Sequence, residues 1–382
     1  MKGYDCVILR GSFVSKIGGA VIMLGLGACT SGGVDPEASL QPLQQSGLLL
    51  TAGLTSSALP LDPDDPRWSQ STETRMTFYP QQGVWPVAPG GPASARVQSL
   101  YNGRQLAIRI VWRDDEPMTG RDIGVFADAV AVALPISYGP GVELPFLGMG
   151  DARSPVGIWY WNAAGDTQTL VANGFGTLAN SPSDGVEAEG SWQDGEWRVV
   201  FRRNIALDRA QRAGRHIPLA PERNGLVPIA FALWNGEEDQ RSGDKRISGW
   251  WFLHFMSGRV DPRYVKEITW APPIEGDATR GEELMTELGC DKCHVYPGNP
   301  QSPNQGPNLT FIGGMYHPSY LLDSLRLPSK VIVVSKGFYP HAHGRGSGRA
   351  AEIPTMSNMP GYEEAAKQRD YYDMVEFLRT LR

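Results

Sequence analysis

Lysine is nearly missing from the middle of this chain. Between Lys16 and Lys266 there is one, Lys245, and basic charge there is otherwise carried by arginine. Tryptophan is missing from the end: all 11 lie between Trp68 and Trp270, and none in 271–382. Cysteine is scarce as well, and 4 in 382 residues are too few for a disulfide-built scaffold. Outside the first thirty residues no apolar run approaches the roughly 20 residues that cross a bilayer, which excludes a polytopic membrane protein. Nor is there a basic surplus. A net charge of −6 argues against a nucleic-acid binder, which needs cations to displace phosphate counterions. What remains is a globular composition, 41% hydrophobic and 20% charged, long enough for two or three domains and too apolar for a disordered chain.

The beginning reads as a leader. Lys2, Arg10 and Lys16 precede an apolar run, Ile17 to Ala28, too short for a spanning helix, as in a secretory signal. Its ending, Leu26-Gly27-Ala28-Cys29, resembles a bacterial lipobox, which implies a signal peptide over 1–28 and an acylated Cys29 as first mature residue. Plain cleavage nearby, with Cys29 incidental, is the alternative. The resemblance implies a protein on the periplasmic side held by lipid, and Thr30 after the cysteine leans toward the outer membrane. Residues 29–55 are small and polar enough to be a flexible tether.

Two modules follow, joined near Trp270-Ala271-Pro272-Pro273. In the first, 56–270, Leu106, Ile108, Ile110 and Trp112 alternate with Arg109 and Arg113, and Trp197 to Arg202 alternates likewise. Ala129 to Leu134 and Pro228 to Trp234 are short apolar strands, while Asn102-Gly103 and Asp194-Gly195 are hairpin turns. This pattern predicts a mainly-β sandwich. In the second, 271–382, Asp277 caps a helix that runs to Leu288 and stops at Gly289. A last helix spans roughly Glu363 to Leu381. This module is expected to be all-α.

Cys290-Asp291-Lys292-Cys293-His294 is the sharpest motif. Two thiols three positions apart can add to the two vinyl groups of haem, and the adjacent histidine then reaches the iron. A zinc site would need a second Cys/His pair, and this module has no other cysteine. A redox dithiol would need a βαβ setting. One covalent haem c is therefore expected on Cys290 and Cys293, with His294 as iron ligand.

The surrounding module resembles class I cytochromes c in Gly276-Asp277-Ala278-Thr279-Arg280-Gly281, in Gly306-Pro307-Asn308-Leu309, and in Ser357-Asn358-Met359-Pro360-Gly361-Tyr362. That resemblance implies Met359 as sixth ligand and Pro307 beside His294. Met356 and Met315 are the competing thioethers. The stretch 335–353, with His341, His343, Arg345 and Arg349, departs from a compact cytochrome and reads as a solvated loop, with docking or ligation as a minor alternative.

The β module resembles the haem b-binding gamma subunits of ethylbenzene-dehydrogenase-type molybdoenzymes, within the dimethyl-sulfoxide-reductase superfamily. The resemblance lies in Leu59-Pro60-Leu61-Asp62-Pro63 with Trp68, and in Phe126 to Pro135. It continues in Gly148-Met149-Gly150-Asp151 before Ile158-Trp159-Tyr160-Trp161, and in Phe231 to Gly236 followed by Lys245 and Trp250. It implies a non-covalent haem b held by Met149 and Lys245. The residues allow this reading on their own terms. Arginine stays protonated, whereas a desolvated lysine can lose its proton and offer a lone pair. Met149 between glycines lets backbone approach a flat ring. A core Met149 and a surface Lys245 beside Glu237, Glu238 and Asp239 are the bland alternatives, and His254 and His216 the competing ligands.

The resemblance thus implies a dihaem electron-transfer subunit, itself not an enzyme. Its partners would be a molybdopterin catalytic subunit, an iron–sulfur subunit and an external carrier, with nitrite, nitrate, chlorate, selenate and hydrocarbon chemistry all open. Three rivals stand beside it: a free-standing lipid-anchored cytochrome, a haem peroxidase, and a ligand-binding sandwich whose open cleft would be lined by Trp159 and Trp161.

Overall fold

Strand alternation sets the architecture. In Gln105–Arg113 the side chains of Leu106, Ile108, Ile110 and Trp112 enter one core and Ala107 another, so this strand is covered on both faces. The structure, a computed structural model, describes residues 36–81, 93–120, 122, 124–181, 185–207, 217–300, 306–332, 356–357, 359–362 and 366–382. Cys29 with the whole leader, His216, and the 335–353 loop with His341 and His343 lie outside the described residues.

The elements in order are α1 (Pro36–Ser46), β1 (Leu49–Leu54), β2 (Thr74–Pro80), β3 (Ala93–Tyr101), β4 (Gln105–Arg113), β5 (Ala129–Pro135), β6 (Val156–Asn162), β7 (Thr167–Ala172) and β8 (Ala179–Asn180). Then come β9 (Glu187–Gln193), β10 (Glu196–Asn204), β11 (Leu226–Trp234), β12 (Arg246–Ile247), β13 (Trp251–Phe255), α2 (Pro262–Ile268), α3 (Ala278–Glu287), α4 (Ile312–Met315), α5 (Pro318–Arg326) and α6 (Gln368–Thr380). The chain is mainly β, with most of its helices toward the C-terminal end.

One wing of sheet runs β9-β10-β4-β3 and the other β8-β7-β6-β5-β11. Two bridges join them. β12 and β2 link β11 to β3 at one end, and β13 and β1 link them at the other, so six strands close a ring. The wings face each other across a core in which Trp159 packs on Phe201 and Trp161 packs edge-on against Trp197 at 5.3 Å. The expected sandwich is thus closed along one side into a barrel-like ring. Both expected hairpin turns are present, with Gly103, Asp194 and Gly195 all at positive φ.

The start of the folded part differs from the sequence expectation. Residues 29–55 read as a tether, yet 36–54 form α1 and β1. β1 pairs in parallel with β13 and β3, and Leu40, Leu43, Leu50 and Ala52 are fully packed. The polar residues between the leucines hide this in composition. It is their spacing on one helical and one strand face that buries them.

Asp277 accepts from the N–H groups of Thr279 and Arg280 to start α3, and Gly289 at φ 75° ends it. α6 begins at Gln368, later than expected, where the Lys367 N–H donates to the Asp370 carboxylate at 2.7 Å. α3 and α6 cross in near-backbone contact. A Cβ on Gly276 would meet the Tyr372 carbonyl at 2.2 Å, and one on Gly281 the Asp373 carbonyl at 2.1 Å. Gly281→Ala therefore cannot be accommodated without separating the helices. A loss of about 1–3 kcal/mol is expected, read as a lower unfolding temperature of the whole chain.

Candidate functional site

The second face of the β8-to-β11 wing carries an unusual run of small side chains. Ala131 stands opposite Ala232 and Ala133 opposite Ala230, so four methyl groups adjoin on two central strands. Larger residues border them: Tyr160 and Ile158 on β6, Ile247 on β12 and Tyr79 on β2. The result is a flat shelf between taller walls, the shape that a planar apolar group requires.

Met149 and Lys245 lie at opposite ends of this face. The Met149 segment sits against the ends of β6 and β7. The Gly174 N–H donates to the Met149 carbonyl at 2.9 Å, and a Cβ on Gly150 would strike Ser154, Val156 and Ala172 backbone. Met149 itself has φ 87°, a conformation costly for an unbranched side chain, and it packs on the same apolar cluster as the alanines. At the other end Lys245 continues β12 to stand beside Trp234, with Nζ 4.9 Å from the indole centroid. It is 7% exposed, and burial alone pulls its amine down to about 8. A lysine so desolvated can present an uncharged nitrogen. His254 sits on β13 between Thr51 and Leu226, next to Phe252 of a different cluster, and away from the shelf.

Lys245 hangs from a braced loop. The buried Asp128 accepts from the N–H groups of Met118 and Gly236 and from the Trp197 indole, and so fixes the loop's first turn. Gln240 and Asn235 then exchange two hydrogen bonds, and Arg246 pairs with Glu238 at 2.8 Å. The neighbour of Asp128, Asp114, is 5% exposed, and desolvation with the adjacent Asp128 charge pushes it up to about 7.

The second candidate ligand set is on the helical stretch. Neither Cys290 nor Cys293 is in a disulfide, and they stand, Cys290 buried and Cys293 half-buried, in the turn after α3. The His294 Nδ1 donates to the Pro307 carbonyl at 2.8 Å, which leaves Nε2 with its lone pair. The ring sits so close to Gly306 that a Cβ there would fall 2.5 Å from it. Met359 is half-buried and packs on the same cluster as Cys290, Met356 is 73% exposed, and Met315 is buried in the core. Among the described residues no three His, Cys, Asp or Glu side chains are grouped to hold a metal ion.

The two sets meet at one apolar cluster. It contains the alanine shelf and Cys290, and both Met149 and Met359 pack on it. The contact runs through Tyr79, whose ring lies 5.7 Å from Phe311 and fills the space left by Gly314, and through Phe146 against Tyr316. A cavity of about 340 Å³ opens beside this seam, between the 141–154 loop and α5. Its lining includes Phe146, Leu147 and Asp151 but neither the alanines nor Met149 nor Lys245, so it is separate from the shelf.

Comparison with known proteins now bears on these positions. A respiratory nitrate reductase heme subunit (ORF7) of Haloferax mediterranei is 32% identical over 232 residues, covering 59% of this chain and 79% of that protein. Residues 65–185 match the family described as ethylbenzene dehydrogenase. The chain belongs to the ethylbenzene dehydrogenase family. Two further relatives of this family member are chlorate reductase subunit gamma of Ideonella dechloratans and dimethylsulfide dehydrogenase subunit gamma of Rhodovulum sulfidophilum. Each is 28% identical, covering 62% of this chain and 96% of the first, and 60% of this chain and 85% of the second. A family 9 carbohydrate-binding module of Caldicellulosiruptor kristjanssonii aligns with a TM-score of 0.34 and 10% identity, over 59% of this chain and 99% of that one. That likeness is too low to bear on ligand or fold. Trp159 and Trp161 are 0% and 6% exposed, inside the sandwich core, so in this family member they line no open cleft.

Sequence reading missed the shelf, although Ala129-Val130-Ala131-Val132-Ala133 and Ala230-Phe231-Ala232 alternate small with large in plain view. Without the register of β5 on β11, the two runs could not be seen to adjoin. The raised Asp114 gives a pH test. An unfolded Asp114 titrates near 3.8 and the folded one near 7, so the folded state holds the extra proton between them. Stability from this group is full below pH 4 and is lost as pH rises to 7. Thermal unfolding of Asp114→Asn from pH 5 to 8 should lack that decline and exceed wild type at pH 8.

Proposed function

We propose that this chain is the electron-transfer subunit of an exported molybdenum oxidoreductase, carrying one non-covalent haem b and one covalent haem c. The observation that carries the reading is the joining of two ligand sets through one apolar cluster. Lys245 and Met149 would hold the first haem from opposite ends of the alanine shelf, and the desolvated amine, the flat floor and the glycine-flanked methionine suit that group. Cys290 and Cys293 would carry the second haem, with His294 and Met359 on its iron. Two cysteines outside any disulfide, the histidine oriented by the Pro307 carbonyl and the half-buried thioether suit it equally.

Haem held by two of these side chains would supply reversible one-electron storage. The chain's own residues bury Lys245 and Cys290, orient the histidine, and connect the sets through Tyr79 and Phe311. Two haems held by these residues would allow electrons to be handed on within the chain. One side faces an iron–sulfur partner of the molybdopterin subunit, and the other an external carrier. Names of relatives that are subunits of nitrate, chlorate and dimethylsulfide enzymes support the assignment to such a complex. The substrate would be set by the catalytic partner. Signal cleavage and acylation at Cys29 would hold the subunit on the periplasmic side of a membrane.

A pyridine haemochrome assay on the intact protein should give equal amounts of b and c haem. Lys245→Ala should keep haem c and lose most of haem b, while Cys290→Ser with Cys293→Ser should abolish haem that survives acid–acetone extraction. Haem c alone in the wild type would remove the dihaem reading.

A further inference from the structure

Gln81 is a buried amide with nothing to bind. It is 2% exposed, and neither its Nε2 nor its Oε1 has a hydrogen-bond partner. An amide taken from water and left unpaired destabilises the fold, so native proteins rarely leave both atoms bare. Its place gives the reason. Tyr79 stands opposite Ile247 and Pro80 opposite Arg246, so Gln81 falls beside Lys245, and its backbone N–H donates to the Lys245 carbonyl at 2.9 Å. Strand alternation carries its side chain to the face of Tyr79, which is the face of the alanine shelf.

We infer that the Gln81 amide is the anchor for a carboxyl group of the non-covalent porphyrin, an inference that rests on the haem b reading of Met149 and Lys245. An amide offers one donor and one acceptor side by side, the complement of a carboxylic acid. Nε2 donates to the carboxyl carbonyl oxygen, and Oε1 accepts the acid O–H. The guanidinium adjacent in register, Arg246, is engaged by Glu238 at 2.8 Å, so a neutral amide rather than a salt bridge receives this edge of the ring. Gln81 is a binding and positioning residue, since its backbone also holds the lysine segment.

The test uses the full-length dihaem protein, with covalent haem c as internal standard. Haem b release is followed by transfer to excess apomyoglobin, for wild type and Gln81→Leu. The b site, emptied and refilled, is then offered haem or haem dimethyl ester. Gln81→Leu should release haem b at least tenfold faster. Wild type should prefer haem to its diester, and Gln81→Leu should not distinguish them. Without haem b, the leucine variant should melt at or above wild type, because it removes an unpaired amide. Equal release rates, an undiminished preference for the free acid in Gln81→Leu, or a lower melting point of its haem b-free form would each overturn the inference. If wild type holds no extractable haem at all, the underlying haem b reading fails instead.

Discussion

Exclusion of water from the face of β5 and β11 is the condition on which the rest depends. A primary amine in water is protonated and useless to a metal, and a thioether competes poorly with solvent. Packing of residues 309–325 against Tyr79, Phe146 and Trp250 keeps that face dry. The same packing joins the helical stretch to the sheet. From Pro36 to Arg382 the chain makes one compact unit, in which, among the described residues, the strands end at Phe255 and the helices α2 to α6 follow.

Both candidate ligand sets are held by backbone that cannot easily yield. Met149 is pinned by Gly174 and by the tight approach of Gly150 to β6 and β7. Lys245 is held through Asp128, Gln240 and the Arg246–Glu238 pair. His294 is oriented by one carbonyl and one missing methyl. Electron transfer benefits from such stiffness, because a centre that moves little on oxidation wastes little energy in reorganisation.

Much was readable in advance where local chemistry decides. The Asp277 cap, the Gly289 stop and the two hairpin turns each act over a few residues, and each is present in the fold. Met149 and Lys245 stood out for a different reason, a family resemblance joined to the oddity of one lysine among arginines. The helix and strand at 36–54 were hidden because their leucines are diluted by polar neighbours, and only pairing with β13 and β3 buries them.

By itself, then, the sequence determined the spacing of the two thiols and the histidine at 290–294, the β-then-α order of elements and the acidic character of the chain. Those follow from residue identity and short-range spacing. Tertiary structure decided that four alanines adjoin, that a lysine loses its water, that an amide is left without partners, and that two ligand sets share one apolar cluster. Each of these depends on strand register and on contacts between residues far apart in the chain, which no local pattern encodes.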